Sequence, residues 1–403
     1  MTGIDCRRDF IMKKLENHRD STTFQDRLIL FLYSLFIILT PFYFWKSGLP
    51  QVADIIMVVL FLVYILSHKA VFRRPIDLKP LVRIGSFFVA HIVIVNAVWT
   101  LLLGSTSSFW LSTVFYIYNF LVFLLIISLS CDYRSRLIEV TFKSTVASLV
   151  VQFIMYVGGG GFSGGRMVVG FNNPNQLGYY ALLMASLLMF SSKRVKVKLH
   201  WFVIGILAST ILCLASLSKA AIVSFFGLVV SHIILQHPNK QFKRRLILVL
   251  LLLSVAGVII WQYSGGLLVS NPLISAVQRR IMSIGHDSDD SLEGRGYDRI
   301  WKHPEYWIFG AGEGEYYRFG VGMEFHSTLG NLQVSYGILG LGLFLIMLFL
   351  IMRHDRYQNA YIILFLMMYG LTHNGIRNTL LWILLGLLAT SCDRQHKSDP
   401  LAV

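Results

Sequence analysis

Apolar residues run through this chain in long blocks separated by short polar punctuation. The pattern shows neither the strict alternation of half-buried strands nor the single apolar stripe of a soluble amphipathic helix. Twelve blocks stand out, over 28–46, 52–68, 83–103, 109–130, 138–157, 176–191, 201–217, 219–236, 246–264, 329–352, 358–373 and 377–391. Most are near the roughly 17–25 residues a helix needs to cross a bilayer. In hydrocarbon every backbone N–H and C=O must find an internal partner, so the blocks are predicted to be helices. The last one is short, and the turn near Ser218 is tight. The expected fold is an all-α integral membrane protein of about twelve transmembrane helices.

Charge agrees with that pattern and adds an orientation. Charged residues make up only 14% of the chain, well below the roughly 25% of a soluble domain. The basic ones gather in alternate connections. Arg7, Arg8, Lys13, Lys14, Arg19 and Arg27 lie before the first block, and Lys69, Arg73, Arg74, Lys79 and Arg83 around the second connection. Arg134 and Arg136 lie in the fourth and Lys193, Arg194, Lys196 and Lys198 in the sixth. Lys240, Lys243, Arg244 and Arg245 lie in the eighth, and Arg353 and Arg356 in the tenth. By the positive-inside rule these face the cytoplasm, as do both termini. The net charge of +15 largely reflects this bias. Charges scattered over many loops of one face do not make a nucleic-acid site, and no nucleic-acid partner is expected. No cleavable signal peptide is expected, because the first apolar block is too long and no small-residue cleavage site follows it. Cys6, Cys131, Cys213 and Cys392 avoid the outer loops, so neither disulfides nor a cysteine metal site is expected.

The organisation expected is a tail (1–27), nine helices (28–264), one long outer loop (265–328), three helices (329–391) and a second tail (392–403). The long loop starts apolar, passes through the acidic run of Asp287, Asp289 and Asp290, and ends in SLEGRGYDRIWKHPEYWIFGAGEGEYYRFGVGMEFHST, which runs into the tenth block. The acidic run reads as a solvated turn. QRRIMSIG and RGYDRIWKHPEYW read as short interfacial helices, with Trp301, Tyr306 and Trp307 at headgroup level. The last part concentrates Arg295, Arg299, Arg318 and His326, with Asp298 and Glu293. Fixed cations and a histidine on the rim of a membrane bundle suit an anionic, lipid-linked substrate. Imidazole titrates near neutrality, which suits a general base. The plain alternative makes His326 a cap on the tenth helix.

Two further outer features accompany it. The stretch GGGGFSGGRMVVGFNNPN carries Arg166 as its one cation. Asn172, Asn173, Asn175 and Gln176 supply amides suited to sugar hydroxyls, and Pro174 suits a helix start. The alternative is a flexible turn before that helix. In SLSKAA, Lys219 either snorkels to the interface or faces the same cavity as the loops. His91 and His232 fall within helices and read as packing residues. His373 and Asn374, beside Arg377, read as end caps, with a place on the cavity border as the alternative.

FNNPNQLG after a Gly-rich outer loop, a lone cation after a Ser-x-Ser turn, Arg299 and Gly310 in R-x₁₀-G, and then HSTL and SYGILG form an ordered series. The series resembles the Wzy polymerase and O-antigen ligase superfamily of bacterial polysaccharide assembly. The resemblance covers helices five to ten. GRGYDRI, GAGEG and EFHST resemble capsule and exopolysaccharide polymerases in particular. Two positions depart from it. Many members have Arg where this chain has Lys219, and Arg166 and Gly178 stand one residue beyond the R-x₁₀-G spacing.

The resemblance implies a glycosyltransferase of the GT-C-like membrane class in the bacterial inner membrane, with its site facing outward. The donor would be an oligosaccharide on undecaprenyl diphosphate, and the acceptor a sugar hydroxyl of another lipid-linked repeat unit. Membrane lipid and a chain-length regulator would be its partners. His326 would act as base, with Arg295 and Arg299 clamping the leaving diphosphate. Arg166, Lys219, Arg318 and the amides at 172, 173, 175 and 176 would bind substrate. Single displacement with inversion would need no cofactor and no metal. A ligase would keep this chemistry and change the acceptor to lipid A core. A flippase would bind the same lipid but would show two related halves.

Overall fold

The computed structural model describes residues 23–46, 48–67, 76–104, 107–163, 166–236, 279–280, 282–283, 291–320, 322 and 324–391. The ninth apolar block, the acidic run, residues 1–22 with Cys6, residues 392–403 with Cys392, and most of 265–290, including Gln278, Ile281, Ile284 and Gly285 of QRRIMSIG, lie outside the described residues. Each remaining apolar block coincides with a helix. These are α1 (Phe24–Leu39), α2 (Val52–Ser67), α3 (Lys79–Leu103), α4 (Ser107–Tyr133), α5 (Ser135–Val157), α6 (Pro174–Ser192), α7 (Leu199–Ala215) and α8 (Lys219–Gln236). After the short α9 (Asp298–Lys302) come α10 (Thr328–His354), α11 (Ala360–Gly370) and α12 (Thr379–Ala389). By length and composition, α3, α4, α5 and α10 can cross a membrane, and α2, α7, α8, α11 and α12 are shorter apolar helices.

The helices carry large apolar side chains on their outer faces as well as in the core. Ile55, Leu62, Phe87, Ile94, Leu101, Val114, Ile154, Leu207 and Leu345 are exposed, while Asn96, Asn119, Gln152, Thr141, Thr145 and Ser148 are buried. Such apolar exposure over many helix faces is uncommon on soluble monomers. Several of the buried polar groups find partners inside. Tyr33 Oη and Thr141 Oγ1 are 2.9 Å apart, and Ser148 Oγ and Tyr180 Oη 2.7 Å. His91 Nε2 meets the Tyr336 carbonyl at 2.8 Å and His232 Nδ1 meets Tyr361 Oη at 2.8 Å, so both histidines are packing residues as expected.

Connections gather alternately at two ends. At one end Tyr133 Oη donates to Asp26 (2.9 Å), Tyr64 Oη donates to Asp132 (2.7 Å), and Lys193 Nζ donates to Asn359 Oδ1 (2.7 Å). Arg194 and Ser391 share Asp355 there. At the other end Asn172 Nδ2 donates to the Trp45 carbonyl (2.6 Å) and Ser108 Oγ donates to Glu315 (2.9 Å). The chain leaves at Gln236 and returns with Arg280, whose Nε donates to the Leu217 carbonyl at 3.4 Å, at the opposite end of α8. The described basic connections and the motif-bearing ones are therefore segregated in space as well as in sequence.

Three local features depart from the expected helices. α1 stops at Leu39, and Pro41, two residues on, has no N–H to continue the helical ladder. The chain then turns inward, and Tyr43 N donates to the Gly170 carbonyl at 2.9 Å. Part of the Gly-rich stretch pairs as a small antiparallel hairpin, Gly161–Ser163 with Arg166–Val169. Pro174 does open α6 as expected, with Asn173 as its N-cap.

The largest departure is a break inside α10 at Gly337, where φ is 65° and ψ −173°. Ser327 and Thr328 touch the end of α11 through the carbonyls of Gly370 and His373, and Asp355 binds Asn359 at its start. A straight helix of α10's length would rise about 40 Å, against about 16 Å for α11. The break reconciles the two. It also frees backbone groups, and the segment 307–314 supplies partners for them. Ala311 N donates to the Val334 carbonyl and Gly312 N to that of Ser335, both at 2.8 Å. Ile338 N donates to the Trp307 carbonyl at 2.7 Å. The GAGEG stretch thus enters the bundle and carries Glu313 to a fully buried position.

Candidate functional site

At the end where the motif-bearing connections meet lies a cavity of about 470 Å³. Asn172, Asn173, Asn175 and Gln176 from the start of α6 line one side. Glu324, Phe325 and His326 come from the end of the long loop, and His373, Asn374 and Arg377 from the turn between α11 and α12. Gln51 and Asp54, at the start of α2, close it. The volume suits a ligand the size of one or two sugars. The amides are partly committed. Asn173 Oδ1 caps α6 by accepting from Asn175 N at 2.8 Å, and Asn172 tethers Trp45.

His326 is exposed and lines this cavity. It does not cap α10. Ser327 does, its Oγ accepting from Gly330 N at 3.0 Å. Tyr297 Oη fixes that cap from 2.7 Å. His326 is therefore held at the cavity wall by a rigid neighbour. The second cavity histidine is a different case. His373 stacks on Tyr369 with ring centres 4.8 Å apart, and Tyr369 in turn stacks on Tyr179 at 4.4 Å. Burial, reinforced by the positive charges of Arg295 and Arg166, pushes His373 down to about 3. A group that weakly basic stays neutral and makes a poor proton acceptor, which leaves His326 as the candidate histidine base in this cavity.

The expected cations divide. Arg166 Nη2 donates to Asn175 Oδ1 and its Nε to the Ser216 carbonyl, both at 2.9 Å. Arg295 Nη1 donates to the Thr372 carbonyl at 2.7 Å, next to His373. Both stand directly behind the cavity wall and set its potential. Lys219 Nζ donates to the Ser283 carbonyl at 2.8 Å, and the residue is not among those lining the cavity. Arg299 and Arg318 also stand apart from the lining. Arg299 is buried, its guanidinium 4.7 Å from the Phe325 ring centre. Arg318 sits 4.7 Å from the Trp99 ring and 4.9 Å from that of Phe319, and Nη2 binds the carbonyls of Ala311, Gly312 (3.1 Å) and Gly314 (3.3 Å). Burial lowers the pKa of both. Arg318 fastens the entering loop, and Arg299 supports the phenylalanine beside His326.

This contrast gives a prediction. Arg295→Ala removes a charge that sets the cavity's potential and should impair function strongly at unchanged protein level, while Arg295→Lys keeps the charge and should impair it less. Arg299→Ala should lower the amount of folded protein, by about 2 kcal/mol for a desolvated cation–π contact. Immunoblotting of membranes beside the polymer assay described below separates the two. Normal protein with lost function for Arg299→Ala would return that residue to the substrate.

Glu313 and Glu324 escaped the sequence reading. Arg377 Nε donates to Glu313 Oε1 at 2.9 Å, and Nη2 reaches Glu313 and Glu324. Tyr336 Oη donates to Glu313 Oε2 at 3.0 Å. Burial works against the charge on Arg377, but the two carboxylates override it and hold its pKa well above the ordinary value. A signal existed. A glutamate among glycines and an arginine in a connection otherwise poor in charge must find each other once buried.

Among the described residues no three His, Cys, Asp or Glu side chains come together to hold a metal ion. No protein-family model matches the chain, and no curated protein matches it. The functional reading rests on these residues and on the motif resemblance above.

Proposed function

We propose that this protein is a multi-pass inner-membrane glycosyltransferase that polymerises polysaccharide. It moves a glycan from undecaprenyl diphosphate onto a sugar hydroxyl of another lipid-linked repeat unit. The observation that carries this reading is the cavity in which an exposed histidine, held next to a helix cap, meets an amide cluster backed by Arg166 and Arg295. Amides suit sugars, the cations suit a departing diphosphate, and the histidine suits the deprotonation of a hydroxyl.

In the step proposed, the acceptor oxygen attacks the anomeric carbon from the side opposite the diphosphate. Its proton passes to His326, and the carbon–oxygen bond to the diphosphate breaks with the electron pair leaving on phosphate oxygen. The positive potential from Arg166 and Arg295 stabilises that charge. The anomeric configuration inverts, and no covalent enzyme intermediate forms.

Orientation is part of the proposal. A reporter active only outside the cytoplasm should be active when fused after Gly285 and silent when fused after Lys240. The reverse pattern would put the site on the side without lipid-linked substrate. The reaction itself is tested by the glycan ladder of a deletion strain. Single-repeat product in place of the ladder supports a polymerase. Loss of all attachment to lipid A core would make the protein a ligase, and an intact ladder would remove it from polymer assembly.

A further inference from the structure

The proposed reaction needs two lipid-linked substrates in one site, and the charges around the cavity are not mixed. His373 feels the cations Arg295 and Arg166. Arg377 feels the carboxylates Glu313 and Glu324. One arginine between two carboxylates leaves one negative charge, and its location is decided by exposure. Glu313 is 0% exposed and both its oxygens are used, by Arg377 and Tyr336. Glu324 is 42% exposed, lines the cavity, and shares Oε1 with Arg377. Asp54, also in the wall, is spent on structure: it accepts from Gln51 N at 2.8 Å and from Tyr118 Oη at 3.0 Å. The negative face of the cavity is therefore Glu324, two residues from His326.

Resting on the reading above, we infer that Glu324 is the acceptor-binding residue. Its carboxylate, tethered by Arg377, takes hydroxyls of the incoming sugar and refuses a sugar carrying an anionic group at that position. A carboxylate accepts hydroxyl hydrogens on two oxygens, and it repels phosphate or uronate. The donor diphosphate then lies at the Arg166 and Arg295 side, the acceptor sugar at the Glu324 side, and His326 between them. The placement puts the acceptor hydroxyl next to its base.

Binding tests this without depending on turnover. The probe is the free oligosaccharide released by mild acid from the lipid-linked repeat units of the deletion strain, with no diphosphate. A second probe is the same sugar with its primary hydroxyls oxidised to carboxylates. The purified full-length protein in lipid nanodiscs should bind the neutral sugar, and the oxidised one about tenfold more weakly. Glu324→Gln should weaken the neutral sugar about tenfold and abolish the discrimination. Glu324→Asp keeps the charge and should retain the discrimination, which guards against misfolding of the Gln variant. Undecaprenyl diphosphate should bind all three proteins alike. Equal binding of both sugars by the wild type, or unchanged discrimination in Glu324→Gln, overturns the assignment. Discrimination that depends on Glu324 in a protein that fails to elongate would instead overturn the polymerase reading and leave the sugar site standing.

Discussion

Replacing His326 by alanine is expected to lower chain elongation by about 10²–10⁴-fold while the protein inserts and accumulates normally. The two halves of this expectation have separate causes. The loss follows from the proposed role of His326, since the other histidine in the wall, His373, is buried beside Arg295 and Arg166 and stays neutral. The normal accumulation follows from the helix start being fixed by Ser327 and Tyr297, neither of which needs the imidazole. Polymer yield at matched protein level is the measurement. Near-wild-type polymer would leave His326 as a lining residue only, and lost protein would mean its role is structural.

The second large effect concerns folding. Alanine at Gly337 would place its Cβ 2.1 Å from the Ile308 carbonyl oxygen, and alanine at Gly310 would place it 2.3 Å from that of Ser335. Both glycines have positive φ, 65° and 91°, which costs an L-residue about 1–2 kcal/mol on its own. Overpacking against backbone adds about 1–3 kcal/mol, because a backbone cannot step aside as a side chain can. Each substitution should therefore destabilise by about 3 kcal/mol or more and largely remove folded protein from the membrane. Gly342→Ala is the control, since nothing lies within 4 Å of the added carbon. Detergent-resistant accumulation, followed by thermal unfolding of what survives, reads the difference. Tolerance of alanine at 337 would mean that α10 is continuous and that GAGEG does not enter it.

Much of the framework was legible because its cause is local. Block length marks helices whatever their neighbours, and the described basic connections gather at one end of the bundle. Pro174 at the start of α6 was equally readable, since a missing N–H costs little there. The α10 break was not legible. SYGILG reads as a continuous helix, and Gly337 becomes a break only because Ile308 and Trp307 press against it from a distant segment. The site was half legible for the same reason. His326 and the amides at 172–176 lie in outer connections, and the cavity brings them together. Arg299 and Arg318 looked the same as Arg295 in sequence, and only the rings of Phe325, Trp99 and Phe319 set them apart. Glu313 and Arg377 form a pair separated by 64 residues, and pairing of that range is decided by burial.

The central claim is transfer between two lipid-linked sugars within one protein, and reconstitution tests it most directly. Purified protein in liposomes, given undecaprenyl-diphosphate-linked repeat units from the deletion strain and no nucleotide sugar, should produce a ladder of lengthening glycans and release undecaprenyl diphosphate in step. His326→Ala in the same liposomes should produce neither. Repeat units that stay single, with wild-type protein shown to be folded and to bind them, would contradict the account.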